Sequence, residues 1–206
     1  MPQPLTEADV SSKTDPSVAK QFDESSPSAT KFDDLYAITD KLKICLLGTY
    51  RQNVGPVARS MAVAKRVGPD FLFLANTHSQ KFDDLANNKE ASVTFQNSSS
   101  QDWVSVSGTA TTVDNSDPRI KELYNPGVSA WFGDLGDGKH DGTADDPRMA
   151  LIEIKAKYIS YWKAQVGMLG YAKEVAHAAI TGKVADVGVQ RHMMEEEIER
   201  ERSRSS

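Results

Sequence analysis

Cysteine is scarce in this sequence, because Cys45 is the only cysteine among 206 residues. A single cysteine excludes a disulfide bond within the chain, which is typical of a protein from a reducing compartment. Cys45 lies in KLKICLLG, an apolar stretch typical of a strand. We therefore interpret it as a buried structural thiol and not as a nucleophile.

Long apolar runs are also missing. No stretch of the sequence approaches the roughly 20 apolar residues that a transmembrane helix needs. The first residues, MPQPLTEADV, contain neither the basic nor the apolar region of a secretory signal peptide. We therefore expect a cytoplasmic protein without a membrane partner.

An excess of positive charge is absent as well. The chain has 24 Lys and Arg against 29 Asp and Glu, a net charge of −5, and its basic residues are scattered among acids. Nucleic-acid binding usually requires a basic patch, so we expect no nucleic-acid partner. We expect no metal site either, because the four histidines lie in separate segments. The acidic loop 133–147 lacks the ligand pattern of an EF-hand.

Apolar residues are depleted at both ends of the chain. Hydrophobic residues make up 39% of the whole, and the first 35 residues are rich in Ser, Pro, Asp, Lys and Thr. The last 20 residues include the charged sequence EEEIERERSRSS. This composition predicts a disordered leader over 1–32, a folded domain over 33–185 and a flexible charged tail over 186–206.

The middle of the chain contains mainly strand-like segments. These segments are KLKICLLGTY, VARSMAVAK, FLFLAN, ASVTFQ, WVSVSGTATTV, MALIEIKA and KYISYWKA. The short turn RVGPD predicts that VARSMAVAK and FLFLAN are antiparallel neighbours. Helices are predicted at SQKFDDLANN with Ser79 as N-cap, at DPRIKELY and across AQVGMLGYAKEVAHAAITG. The fold class is therefore mainly β with appended helices, as a small barrel or sandwich.

Two cations suggest a binding site for phosphate. Alternation in VARSMAVAK places Arg59 on the same strand face as Val57 and Met61. Lys81 falls in the first turn of the helix that begins at Ser79, where a positive charge opposes the helix dipole. A phosphate would bring together the Arg59 guanidinium, the Lys81 ammonium, the Ser79 hydroxyl and the helix amides.

A plain structural interpretation of the same residues stays open at this point. In it, Arg59 pairs with an acid such as Asp83, and Lys81 points into water. Composition and spacing alone favour this simpler interpretation, because surface ion pairs are common.

Five segments in order resemble a known family. They are ARSMAV, FLFLANTHSQKFDDL, VSVSGTATTV, ELYNPGVSAWFGD and MALIEIKAKYISYW. Together they resemble the pyridoxamine 5′-phosphate oxidase-like family of FMN-binding split barrels over roughly residues 33–185. Within the family, the general stress protein branch and its fungal blue-light-inducible members are the most similar.

The resemblance implies a six-stranded antiparallel split β-barrel with a C-terminal helix, which forms a homodimer with FMN in a groove at the interface. It implies that Arg59, Ser79 and Lys81 hold the FMN phosphate. It also implies that the flavin ring is bordered by Ser60, Met61, Ala75, Asn76 and Thr77, and that Trp103 and Trp131 lie at its edge.

The resemblance to the family also has limits. The chain ends in a helix and a charged segment instead of the arginine-rich strand motif that binds substrate in pyridoxamine phosphate oxidases. We therefore do not expect that activity. A flavin-dependent oxidoreductase acting on a small molecule, a non-catalytic flavin sensor or store, and a split barrel that binds the deazaflavin F420 or haem remain as alternatives.

Overall fold

The computed structural model describes Asp9 and residues 15–205. An antiparallel sheet forms its body, and helices pack on that sheet. The strands are β1 (Ile44–Arg51), β2 (Gly55–Ala62), β3 (Lys65–Val67), β4 (Asp70–Asn76), β5 (Glu90–Gln96), β6 (Trp103–Val113), β7 (Met149–Ala164) and β8 (Gly188–Met193). The helices are α1 (Pro16–Gln21), α2 (Ser28–Leu42), α3 (Gln80–Asn87), α4 (Arg119–Leu123), α5 (Pro126–Ser129), α6 (Met168–Thr181) and α7 (Glu195–Ser205).

Hydrogen bonds join the strands in the order β2-β1-β5-β6-β7-β4-β3, and β8 pairs with β7. All of these pairings are antiparallel. The structure thus confirms a mainly β fold with appended helices. The predicted count of six strands is wrong, because the described residues form eight, and the hydrogen-bonded path is open, with β2 at one end and β3 at the other.

One segment that the sequence predicts as a single strand is two strands in the structure. Val63 and Ala64 separate β2 from β3, and their amides donate to the carbonyls of Lys43 and Leu72 at 2.9 and 2.8 Å. The predicted pairing with FLFLAN therefore holds only for β3, whose Lys65 lies opposite Leu72. β2 pairs with β1 instead.

β7 is one strand of 16 residues where the sequence predicts two. It pairs with β6 along its length, and the register shifts between Ser107 and Gly108. A Cβ on Gly108 would lie 2.2 Å from the Lys155 carbonyl oxygen, so this bulge requires glycine. The bulge lets β6 follow the long strand without a break.

The main core lies between the sheet and helix α2. It includes Leu35 and Ile38 of α2 together with Leu47 and Val93 from neighbouring strands. Cys45 belongs to the same core, and burial raises the pKa of its thiol to about 12. The interpretation of Cys45 as a buried structural thiol is therefore confirmed.

The segment predicted as a flexible charged tail, 186–206, is packed in the structure. Residues 188–193 form β8, and Met193 and Ile198 have no exposed surface. Arg202 of α7 makes a bidentate contact to the buried Asp70 carboxylate at 2.6 and 2.8 Å and also donates to the Ala156 carbonyl. Composition misled the prediction because a few apolar anchors and buried ion pairs hold this polar segment in place.

The predicted leader 1–32 also differs from the structure where it is described. Helix α1 and the first part of α2 lie within it, and Phe22 and Phe32 are buried. Arg191 of β8 donates to Asp23 at 2.7 Å and to Asp34 at 2.5 Å, which ties both ends of the chain together. The packed body thus extends beyond the predicted domain 33–185, whereas residues 1–8 and 10–14 lie outside the described part.

The acidic loop 133–147 is only partly solvated. Asp137 and Asp141 accept hydrogen bonds from loop amides, but Asp146 is fully buried and pairs with Arg148 at 2.6 Å. Within residues 15–205, the structure contains no group of acidic, histidine or cysteine side chains arranged to hold a metal ion. No described helix is both long and apolar enough to cross a membrane.

Candidate phosphate-binding site

Strand β2 carries Arg59 on its partly buried face. Burial alternates along the strand, so that Val57, Arg59 and Met61 are half-buried while Ala58 and Ser60 are exposed. The alternation predicted from the sequence is confirmed. Arg59 lies opposite Leu47 of β1 in the register, which places its guanidinium beside the side chain of the next inward-facing residue, Thr49.

The Arg59 guanidinium is held by three protein acceptors. Its Nη1 donates to the Leu47 carbonyl at 3.1 Å and to the Thr49 hydroxyl at 2.7 Å. Its Nη2 donates to the Asp84 carboxylate at 3.0 Å. The predicted alternative partner, Asp83, is exposed, so the acid that meets Arg59 is the following residue.

Asp84 lies at the centre of this network and is almost completely buried. Arg51 donates to it from Nε and Nη2, and the Thr49 hydroxyl donates at 2.8 Å. The hydrogen bonds from Arg51 are the largest influence that lowers the pKa of the Asp84 carboxyl. The carboxylate is therefore charged and compensates one of the two arginines that it joins.

The end of β4 leads directly into helix α3. Ala75 is buried within the sheet, opposite Ala150 of β7. The Asn76 side chain accepts from the His78 amide at 2.9 Å, and Thr77 donates from its amide to the Arg148 carbonyl at 2.8 Å. This turn fixes where the first residues of α3 begin.

Ser79 and Lys81 are brought together at the start of α3. The Lys81 ammonium donates to the Ser79 hydroxyl at 2.6 Å, and that hydroxyl donates to the Asn76 carbonyl at 2.7 Å. Ser79 is the N-cap residue as predicted, but its side chain makes no capping hydrogen bond. The backbone closes the first turn instead, because the Phe82 amide donates to the Ser79 carbonyl at 3.0 Å.

Lys81 is half-buried and carries an uncompensated charge. Burial lowers the pKa of its ammonium, and the positive charge of Arg59 lowers it further. Lys81 forms no salt bridge within residues 15–205, and its only hydrogen bond there to a protein acceptor is the one to Ser79. Two of its three N–H groups therefore have no protein partner in the described part.

Arg59 also has N–H groups without a protein acceptor. A guanidinium has five N–H groups, and three of them are used by Leu47, Thr49 and Asp84. The Nε–H and one Nη2–H have no acceptor among the described residues. Arg59 and Lys81 thus present four unpaired charged donors in one partly exposed region.

Ser60 and Met61 lie beside Arg59 on opposite faces of β2. Ser60 is exposed, whereas Met61 packs against the core and its carbonyl accepts from the Cys45 thiol at 3.5 Å. Their backbone is near Arg59 only because they follow it in the chain. Their predicted role at a flavin ring stays a prediction.

The two tryptophans predicted at the flavin edge, Trp103 and Trp131, do not join Arg59 and Lys81 within one chain. Trp103 begins β6, where it is half-buried and lies opposite Gln96 and Trp162. Strands β1 and β5 separate it from β2 in the sheet. Trp131 follows α5 and is 86% exposed. Their predicted place at the flavin edge stays a prediction.

Three residues of the network are missed by the sequence analysis, namely Asp84, Thr49 and Arg51. Helical periodicity contains a signal for the first of them, because Asp84 lies three residues after Lys81 and shares its face of α3. Asp83, two residues after Lys81, faces away. Thr49 and Arg51 follow from the alternation of β1 once the β1–β2 register is known.

The sequence of the chain is similar to those of known proteins. The sequence profile of the family described as "Pyridoxamine 5′-phosphate oxidase like" matches residues 30–186. The chain is 38% identical over 205 residues to Protein bli-3 of Neurospora crassa, with 98% of each chain covered. These matches confirm the resemblance found in the sequence.

Solved structures share the fold at lower sequence identity. One is a putative general stress protein 26 from Jannaschia sp. CCS1, with a TM-score of 0.61 and 17% identity, which covers 82% of this chain and 99% of that one. Another is a pyridoxamine 5′-phosphate oxidase-related, FMN binding protein from Nostoc punctiforme, with a TM-score of 0.52, 13% identity, and 67% and 85% coverage. The chain belongs to the pyridoxamine 5′-phosphate oxidase-like family.

Proposed function

We propose that this protein binds FMN and that Arg59, Ser79 and Lys81 hold the phosphate of the cofactor. Family membership supports this proposal, as does the Nostoc punctiforme neighbour, which is described as FMN binding. We further propose a split barrel that assembles as a homodimer in the cytoplasm, with FMN in a groove between the protomers.

The imbalance of charge at the cluster carries the proposal. Arg51, Arg59 and Lys81 supply three positive charges, and Asp84 is the only carboxylate that the described residues place among them. A phosphate monoester carries close to two negative charges at neutral pH. It would match the surplus, accept from the four unpaired N–H groups and relieve the repulsion between Arg59 and Lys81.

The remaining predicted contacts would orient the ring system. Ser60 and Met61 follow Arg59 in β2, and Ala75, Asn76 and Thr77 precede Ser79 at the end of β4, so their backbone would lie next to the proposed phosphate ligands. The exposed ring of Trp131 is free to cover a flavin bound between protomers, and we assign Trp103 the same role from the partner copy.

FMN would supply the redox chemistry, and the protein would bind and orient it. The proposed activity is therefore a flavin-dependent oxidoreduction of a small molecule. Storage or sensing of flavin without turnover is the second candidate. The described contacts of the cluster, from Arg59 to Asp84 and from Lys81 to Ser79, are binding and structural contacts, and this candidate function needs no others.

Comparing FMN with riboflavin tests the proposed phosphate site. Riboflavin has the same ring system but no phosphate, so it cannot use the four charged donors. We expect FMN to bind at least about 100-fold more tightly, because charge-assisted hydrogen bonds contribute about 1.5–3 kcal/mol each. Quenching of flavin fluorescence measures both affinities. Equal affinities would show that the phosphate is not bound here.

The lowered pKa of Lys81 predicts how FMN binding depends on pH. Lysine attracts phosphate only when protonated, so the affinity is complete below the pKa of Lys81 in the empty site and falls as pH rises through it. Because burial and Arg59 lower that pKa, the decline begins below the ordinary lysine value of 10.5. Titrations with FMN between pH 7 and pH 10.5 measure it.

The variant Lys81→Arg is the matched control, since arginine stays charged over this range. We expect the alkaline decline to shrink in this variant. Ionisation of the flavin ring affects both proteins equally, so their difference reports position 81 alone. Superimposable pH profiles would contradict the assignment of Lys81.

A further inference from the structure

Helix α6 projects from the sheet as an arm. It is inserted between the antiparallel partners β7 and β8, and the Gln165 amide closes the base of the insertion by donating to the Val187 carbonyl at 3.0 Å. Gly182 ends the helix in the left-handed conformation, with φ +67°. None of the α6 side chains that the structure describes is buried.

The arm turns its apolar residues outward. Leu169 and Ile180 are 82% and 86% exposed, and Tyr171 and Val175 are also exposed. The partly covered residues are Gly170, Glu174 and Ala178, which recur every four residues along another face. A helix that stabilised only its own protomer would show the reverse arrangement, so the apolar residues of α6 need a partner.

The same chain contains a second uncovered apolar face, on the outer side of strands β1 and β2. Leu46 and Tyr50 of β1 and Val54 of the following turn expose about half or more of their surface. A groove of about 410 Å³ lies there, lined by Gly48, Tyr50, Pro56 and Ala58 and, on the β5 side, by the more polar Asn88, Glu90 and Ser92. A Cβ on Gly48 would lie 2.3 Å from the Ser92 Oγ, so glycine keeps the groove floor open.

We propose that the α6 arm of one protomer packs into the β1–β2 groove of a second copy, and that the second arm packs in the same way on the first. This inference rests on the homodimer of the proposed function and assigns the contact that holds it. One two-fold axis then covers both apolar surfaces of each chain, as closed symmetry requires. The groove lies towards the β1–β2 turn, and Leu46 lies opposite Ser60 in the register, so the arm and the flavin would be neighbours at this interface.

The extent of the two surfaces suits this partner. Leu169, Tyr171, Val175 and Ile180 on the arm, with Ile44, Leu46, Tyr50 and Val54 on the face, are eight large exposed side chains. At on the order of 100 Å² each, they amount to about 800 Å² per protomer, which is the share that a standard interface buries.

The charges of the arm argue against a lipid surface as the occupant. Interfacial helices are typically rich in Lys and Arg on their polar face. Helix α6 contains one lysine, Lys173, followed by one glutamate, Glu174, so it offers no net attraction to anionic lipid. The β1–β2 groove of a second copy is therefore the better partner for the arm.

The first test is the mass of the intact protein in solution, measured by sedimentation equilibrium. The double variant Leu169→Glu with Ile180→Glu places charges at two exposed positions, so the protomer fold is retained. We expect wild type to be a dimer and the double variant to dissociate about 100-fold more readily, or more. The matched control Leu135→Glu changes a leucine that is 63% exposed in the acidic loop, and it should leave the dimer unchanged.

The second test asks whether the arm meets the groove or the other arm. Ala58→Glu places a charge in the groove at an exposed position of β2. If each arm packs into the groove of the other protomer, a dimer of one arm variant and one groove variant keeps one contact in which both the arm and the groove are unchanged. We therefore expect each variant alone to be monomeric and their equimolar mixture to form heterodimers, which native mass spectrometry resolves.

Several results would overturn the proposal. A monomeric wild type, an arm variant that dimerises like wild type, or a mixture without heterodimers would each do so. Flavin titration of the same samples separates this inference from the proposed function. If the arm variant binds FMN and dimerises like wild type, only the proposed arm–groove contact is refuted. If the mixture forms heterodimers but the protein does not bind FMN, only the proposed cofactor is refuted.

Discussion

Replacing Arg59 with alanine is expected to lower the affinity for FMN by about 100-fold or more. The substitution removes the two unpaired N–H groups that the guanidinium offers to the phosphate, and charge-assisted hydrogen bonds contribute about 1.5–3 kcal/mol each. Because about 1.4 kcal/mol corresponds to a tenfold change in affinity, two such bonds give this magnitude. Equilibrium dialysis or fluorescence titration with FMN measures the change.

The matched control for this experiment is Arg51→Ala. Both arginines donate to Asp84, so both variants weaken the same ion-pair network and are expected to lose stability. Arg51, however, uses both of its observed donors on Asp84 and has no assigned contact to phosphate. We expect it to weaken FMN binding several-fold less than Arg59→Ala. If the two variants bind FMN alike, Arg59 acts only through the fold.

Replacing Arg202 with alanine is expected to lower the free energy of unfolding by about 3 kcal/mol. The substitution leaves the Asp70 carboxylate buried without its cation, and breaking a buried ion pair on one side costs roughly 3–5 kcal/mol. We expect the lower end because the Ala156 amide still donates to Asp70 at 2.9 Å. Urea unfolding of wild type and variant at equal protein concentration measures the difference.

Arg204 of the same helix provides the control. It lies 3.7 Å from Glu201, and its side chain is 75% exposed, so Arg204→Ala should change the free energy of unfolding by about 0.5 kcal/mol or less. Equal small effects of the two variants would mean that α7 is a flexible tail, as the composition predicts, and would contradict the Arg202–Asp70 ion pair.

The sequence was most informative where periodicity and chemistry agreed. Alternation in β2 placed Arg59 correctly on the partly buried face, and the serine-led helix start placed Ser79 and Lys81 together. Both inferences use short-range geometry, in which the direction of each side chain follows from the secondary structure alone.

Long-range contacts were the part that the sequence could not supply. The exact acid beside Arg59 depends on how α3 lies against β1, so Asp83 and Asp84 could not be distinguished by composition. The packing of 186–206 depends on Asp70 and Asp34, which lie more than 100 residues away in the chain. A polar segment that uses its charges in buried ion pairs has the same composition as a solvated one.

The strand count failed for a related reason. Whether Val63 and Ala64 continue one strand or separate two depends on the partners available on each side, and these are set by the whole sheet. The apolar run 149–164 contains Lys155 and Lys157, which suggest an interruption. In the structure both side chains simply face outward from a continuous strand.

The visible absorption spectrum of the purified protein, recorded before and after addition of FMN, tests the central claim most directly. If FMN binds at Arg59, Ser79 and Lys81, we expect a flavin spectrum that is shifted and more structured than that of free FMN, and that is lost in Arg59→Ala. A colourless protein that leaves the spectrum of added FMN unchanged would contradict this claim, and a haem or deazaflavin spectrum would assign the Arg59, Ser79 and Lys81 site to another cofactor.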